Sequence, residues 1–333
     1  MASLKASNIL IFGATGFIGQ HITQQIITAQ PAFGSITIFT SPDTVANKAS
    51  LLESWKQKAS LAGTPLHITA GSVDSESDVR GAYTSQAIDT VVSAFGRGAI
   101  AKQANLITWA AAEPGVQWFF PSEYGTDIEY GPQSAGEKPH QQKLAVRKLI
   151  REEVAQHGDL HVTYVVTGPY FESWVPFVSE QLPGYDVERK TAVVTDDGEG
   201  RIGFTTMPDV GRLVVAALRR PEVAALPAAA SGGGGKALKV HSFETTPKEV
   251  LGVYERLTGG EKWAVKSVPL SQMKEAEDKA WAEGDAKATV LTLRRIWAEG
   301  GTLYEKTDNE ALGITKGDLE SLEAVITRLL AKE

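Results

Sequence analysis

Residues 8–22, NILIFGATGFIGQHI, constrain this chain's fold more than any other stretch. An apolar, β-prone run gives way to Gly13, Gly16 and Gly19, and a helical pattern follows at once. A helix N-terminus offers unpaired N–H groups and the positive end of a dipole, so it suits an anion. Glycines let a pyrophosphate approach the backbone and let helix and strand pack closely. The spacing is Gly13-x-x-Gly16-x-x-Gly19, not the G-x-G-x-x-G of the dinucleotide fingerprint. Alone, such spacing marks only a tight turn; its neighbours must say more.

Those neighbours alternate. NILIF (8–12), SITIFT (35–40), LHITAG (66–71), DTVVSAFG (89–96), VQWFFPS (116–122) and HVTYVVTG (161–168) are short and mostly apolar. Helical patterns lie between them, among them 20–29, 46–62, 101–112 and 139–157. Apolar strands alternating with helices predict an α/β fold, a Rossmann-type doubly wound parallel sheet. In that setting the glycine turn after the first strand is read as a nucleotide site. After Gly168 the rhythm breaks into the aromatic, proline-punctuated PYFESWVPFVSEQLPGYD, which suits a pocket or lid. A helix is expected over 207–222, a late strand in ALKVHSFE and a helix over 246–259. The low-complexity run at 228–235 reads as a surface loop outside the site. The domain expectation is a nucleotide-binding unit over 1–168, with 205–245 returning to it, and a mainly substrate-binding α+β unit over 169–333.

Composition removes several classes of function. The 333 residues carry a net charge of -7, which argues against a nucleic-acid partner. There is no cysteine, so disulfides, thiolate catalysis and cysteine-ligated metals are out, and no histidine spacing demands a metal. No stretch approaches the length of a membrane span, and the first residues are expected not to act as a signal peptide. The expectation is a cytoplasmic protein, monomer or homodimer, acting on a small molecule.

An acid ending the second strand would favour NAD by accepting from the ribose 2′-OH. Thr40 and Ser41 stand there instead, and Lys48 follows near the next helix. Hydroxyls and a lysine suit a 2′-phosphate; Lys48 read otherwise is a solvated surface lysine. In the helix expected over 139–157, Lys143 falls in line with Val146, Ile150 and Val154, as does Glu153. A lysine on an inward face either snorkels or functions, and burial would lower its pKa toward the range of an acid/base. His140, one turn earlier, shares that proton path or is a surface residue. Tyr124, Tyr170, Trp174 and Phe177 line an aromatic substrate pocket or belong to the core. The Tyr-x-x-x-Lys pair of ordinary short-chain dehydrogenases is absent, since Pro139 stands four residues before Lys143. That disfavours a nucleotide-sugar epimerase or dehydratase.

GATGFIG, KASLLESWK, VVSAFG, QANLITWAAAEPGVQWFFPSEYGTD and HQQKLAVRKLIRE together resemble the isoflavone reductase and phenylcoumaran benzylic ether reductase group, within the NmrA-like atypical short-chain dehydrogenases. The resemblance is dense from Asn8 to about Phe171 and looser beyond. It implies NADPH as cofactor and an acid/base or proton-relay role for Lys143. Carried onto this sequence, the cofactor contacts are Gly13, Thr15, Gly16, Phe17, Ile18, Gly19, Thr40, Ser41, Lys48, Ala94, Phe95, Gly96, Ser122, Glu123, Lys143, Pro169 and Phe171. Two departures stand out: Thr40-Ser41 where the group often has arginine, and Pro169-Tyr170-Phe171 where it has Asn-Tyr-Phe. The expected activity is hydride transfer to an enone, quinone methide, imine or carbonyl carbon. The alternative is a non-catalytic NADP(H)-binding regulator acting through a protein partner.

Overall fold

The computed structural model describes residues 4–152, 154, 160–177, 179–226 and 234–331. Residues 228–233 of the expected surface loop, and Glu153, lie outside the described residues. The first half of the chain contributes six strands: β1 (Asn8–Phe12), β2 (Ser35–Thr40), β3 (Leu66–Ala70), β4 (Thr90–Ser93), β5 (Trp118–Phe120) and β6 (His161–Val166). Later come β7 (Gly184–Asp186), β8 (Thr191–Thr195), β9 (Ile202–Phe204), β10 (Lys236–Lys239), β11 (Phe243–Thr245) and β12 (Ala264–Val268).

The main sheet runs β10-β6-β5-β4-β1-β2-β3 and every pairing in it is parallel. A parallel sheet needs cover on both faces, and the strand sequences supply it. Along β1, Ile9 and Ile11 enter one apolar cluster while Leu10 and Phe12 enter the other. In β5, Trp118 and Phe120 oppose Phe119 in the same way. The helix Gly19–Ile27 covers one face with Ile22, Ile26 and Ile27 fully buried. The helix Met207–Arg219 joins it through Val210, Leu213, Val214 and Ala217.

The late strand read as one in ALKVHSFE is two. β10 pairs with β6 in the main sheet, whereas β11 pairs antiparallel with β9. The split falls at His241-Ser242, where the Ser242 hydroxyl donates to the buried Asp209 carboxylate and its amide to the Phe204 carbonyl. Two different partners therefore claim one apolar run.

A three-stranded sheet, β12-β8-β7, forms the second layer with the helices Pro247–Leu257, Leu270–Glu283, Ala288–Ala298 and Leu322–Leu330. Its core is aromatic: Phe171, Trp174, Tyr185, Phe204, Tyr254 and Trp263 pack together. Gly168 is the exit from β6 toward this layer, at a φ of +67° that an L side chain rarely adopts. Its amide and that of Thr167 both donate to the Gly125 carbonyl.

Candidate active site

The strand order reverses between β1 and β4, and loops at their carboxyl ends diverge there to leave a crevice. The glycine turn forms one wall. Gly13 has a φ of +69°, and a Cβ there would sit 2.6 Å from the Ala94 carbonyl oxygen. A Cβ on Gly19 would sit 2.0 Å from the Gly13 carbonyl oxygen, so helix and turn touch main chain to main chain. At Gly16 the same distance is 3.0 Å, tight but not forbidding. The Gly16 amide donates to Gly13, 2.9 Å away. The helix that follows has no side-chain cap and no acid in its first turn. A cradle only glycine fits and an uncapped N-terminus together suit a dinucleotide pyrophosphate.

Beside the turn, Lys48 donates to the Thr15 carbonyl at 2.8 Å. Ser41 caps the short helix Pro42–Asn47, accepting from the Thr44 amide. Thr40 ends β2, where its carbonyl accepts from Gly71.

The crevice deepens into a cavity of about 380 Å³, within the size range of small-ligand sites. Phe17, Ile18, Ala94, Phe95, Gly96, Ser122, Glu123, Tyr124, His140, Lys143, Pro169 and Tyr170 all line it. Ser122 braces the floor: its hydroxyl accepts from the Phe95 amide at 2.8 Å, and its own amide donates to Gln103 Oε1 at 2.7 Å. The Glu123 carboxylate accepts from Arg147 Nε at 3.1 Å, both side chains being fully enclosed. That pair fixes the PSEYG segment on the helix Gln141–Glu152.

Lys143, half-buried on that helix, donates to the main-chain carbonyl of Glu123. Val146, Ile150 and Val154 continue its face into the core, so the ammonium is held at the cavity by packing. Burial brings its pKa down to about 8; the Glu123 charge opposes the shift, while Arg97 and Arg147 add to it. The group is therefore mostly charged at neutral pH and able to part with its proton. His140 is buried rather than at the surface. Its Nδ1 lies 3.0 Å from the Ser134 carbonyl, which can only accept, so Nδ1 carries the hydrogen and Nε2 is bare. Burial lowers its pKa, which keeps it neutral. The Tyr170 hydroxyl donates to the Tyr124 carbonyl, and the Tyr124 hydroxyl has no partner among the described residues. Burial, with the Tyr170 and Glu123 charges, pushes the Tyr124 hydroxyl far above its ordinary pKa, so it remains a donor.

Of the candidates, Gly13, Thr15, Gly16 and Gly19 in the turn and Thr40, Ser41 and Lys48 beside it lie outside the lining, and three aromatics stand apart from both turn and cavity. Phe171 is fully buried, edge-on to Phe204 and Phe243. Trp174 packs on Tyr185 and Phe204, and Phe177 against the Leu182–Met273 cluster. Phe171 and Trp174 are core, and Phe177 is half-buried, because the chain turns off the sheet at Gly168 and carries them into the second layer. The far wall comes instead from the helix Ala288–Ala298, through Val290, Leu293, Arg294 and Trp297, and from Arg97 after β4. Nothing local in LTLRRIWAE marks a site. An arginine on the same helical face as apolar residues was the only available sign.

The NmrA-like family model matches residues 5–283. An oxidoreductase of Aspergillus flavus is 28% identical over 329 residues, covering 96% of this chain and 98% of that protein. The phenylcoumaran benzylic ether reductase of Ginkgo biloba is 28% identical over 219 residues, 65% of this chain and 66% of the relative. Among solved structures, leucoanthocyanidin reductase of Vitis vinifera, in binary complex with NADPH, superposes with a TM-score of 0.75 over 98% of this chain and 100% of its own, at 18% identity. At that identity the likeness establishes the fold.

Proposed function

This chain belongs to the NmrA-like family, and on that premise we propose that it is an NADPH-dependent reductase of a small conjugated or aromatic substrate. Several relatives are named oxidoreductase, isoflavone reductase or phenylcoumaran benzylic ether reductase. The observation that carries the reading is Lys143: a cation held at an apolar cavity, next to a glycine cradle, with its pKa brought to about 8. A purely structural lysine at such a place is costly without a carboxylate partner; a working acid needs that environment.

The glycine turn Gly13–Gly19 would hold the pyrophosphate, and Thr40, Ser41 and Lys48 the 2′-phosphate of the adenosine end. NADPH, when bound, supplies the hydride. Lys143 holds a proton at Nζ for the substrate oxygen or nitrogen that gains charge, directly or through water. The Tyr124 hydroxyl and the bare Nε2 of His140 are both enclosed beneath the lining, so the bound substrate would have to uncover them before they could serve as donor and acceptor. Ile100, Ile128, Leu293 and the aromatic rings exclude water, which strengthens each of these interactions. Residues 1–168 with 205–245 would form the cofactor unit and most of the remainder the substrate unit.

NADPH oxidation followed against phenolic enones, quinones, quinone methides and cyclic imines tests this. One substrate turned over by the wild type and not by Lys143→Met supports it. Tight NADPH binding with no turnover of any class would favour the regulator instead.

A further inference from the structure

Arg294 lines the cavity and yet is only 3% exposed. Among the described residues it has one hydrogen bond, from Nη1 to the Pro183 carbonyl, and no carboxylate within ion-pair reach. Its guanidinium lies 5.9 Å from the Trp174 ring, a weak contact. Other enclosed arginines here are neutralised: Arg147 by Glu123 and Glu129, and Arg295 by Glu137, Glu277 and Glu299. A buried charge without a counter-ion is costly. Arg97, an exposed side chain, lines the same cavity, bonded through Nη1 to the Pro139 carbonyl at 2.9 Å, with no acid in ion-pair reach among the described residues. Lys143 adds a third cation. The single carboxylate of the lining, Glu123, is already held by Arg147 from behind.

We infer that the substrate of this cavity carries a carboxylate, which Arg294 binds, with Arg97 adding a second positive charge. The inference rests on the proposed reductase reading for the reaction, but not for the anion site itself. A guanidinium presents a planar fork that matches a carboxylate, and the remaining N–H groups of Arg294 have no acceptor among the described residues. Arg294 comes from the Ala288–Ala298 helix and donates to the Pro183 carbonyl just before β7, so the anion would be held by the second layer and not by the glycine turn. The substrate class narrows to conjugated or aromatic acids, with the carboxylate toward the second layer and the reducible group toward Lys143.

Calorimetric titration of benzoate, cinnamate and 3-phenylpropionate, each against its methyl ester, tests this on the whole protein, without cofactor and again with saturating NADP⁺. At least one acid should bind about tenfold or more tightly than its ester, and added salt should weaken the acid and not the ester. Arg294→Met should erase the difference while the NADP⁺ affinity stays within a few-fold of wild type, and Arg294→Lys should keep part of it. Because the acid-to-ester comparison is made on wild type, the test survives a variant that does not fold. Esters binding as well as acids, or no acid binding at all, overturns the inference. Loss would then fall on the carboxylate alone: the reductase reading fails separately, if NADP⁺ itself does not bind.

Discussion

In the glycine turn the tightest constraints are main chain against main chain, within seven consecutive residues. In the cavity beside it the constraints are side chains, brought together from positions 97 to 297. The turn is shaped by what is absent, since any Cβ at Gly13 or Gly19 would enter a neighbouring carbonyl. The cavity is shaped by what is present: a lysine on a carbonyl, a buried carboxylate–guanidinium pair behind it and an unneutralised arginine opposite. The turn can therefore grip only a group common to many ligands, whereas the cavity can discriminate among them.

The largest effects should separate the two at the turn itself. Gly19→Val places a side chain where 2.0 Å separates Cβ from the Gly13 oxygen, so the first helix must move off β1. A loss on the order of 3 kcal/mol or more in denaturant unfolding is expected. Gly16→Val has 3.0 Å to the same oxygen and should stay folded, while its side chain blocks the approach of a pyrophosphate. Fluorescence titration should then find NADPH affinity abolished in a protein with a normal melting transition. Equal stability of the two variants would mean that the turn is more pliable than its contacts imply.

Lys143→Met is the corresponding cut in the cavity. Turnover should fall by about 10²–10⁴-fold, the usual worth of a general acid, with NADPH affinity within a few-fold of wild type. The pH dependence follows from the direction of the shift. In the proposed acid role the ammonium would be the working form, and burial brings its pKa to about 8, so kcat should be flat below that value and fall as pH rises through it. A kcat that instead rises through pH 8 would make Lys143 a base in the rate-limiting step.

These two regions differed as much in sequence as in structure. The turn was legible because its residues are contiguous and because glycine says so much about backbone. The sheet was legible for the same reason: period and composition are local. Lys143 was found through helical spacing, which places it on the face of Val146 and Ile150. Its partner was not found, because a main-chain carbonyl leaves no mark in a sequence. The opposite wall was missed altogether. The sequence leaves Trp174 and Phe177 open between pocket and core, because whether a ring lines a cavity or fills a core depends on the turn at Gly168, and Arg294 lies 120 residues further on than Trp174.

Glu123→Gln sharpens the comparison from inside the cavity wall. It keeps the Glu123 carbonyl for Lys143 but removes the charge that faces Arg147, which retains Glu129. Stability should drop by about 1–3 kcal/mol, because an enclosed guanidinium loses an ionised acceptor. The Glu123 charge also raises the Lys143 pKa, against burial. Without it, the fall in kcat should begin at a lower pH than in wild type. An unchanged pH profile with lower stability would assign Glu123 to folding alone.

Lys48→Ala should give the smallest effect, and it probes the edge of the turn where side chains first matter. Lys48 is exposed and donates to the Thr15 carbonyl, so its ammonium is stationed at the turn without being enclosed. An exposed charge pair contributes roughly 0.2–1 kcal/mol, so a phosphate there would gain at most about five-fold in affinity from it. Thr40 and Ser41 share the same corner, and Ser41 is already committed as a helix cap. The ratio of NADH to NADPH dissociation constants should therefore fall a few-fold in Lys48→Ala and vanish at high salt. NADH affinity should be untouched, since it lacks the 2′-phosphate. If both cofactors weaken equally, Lys48 serves the turn by holding the Thr15 carbonyl, and preference for NADPH must come from the Thr40 and Ser41 hydroxyls.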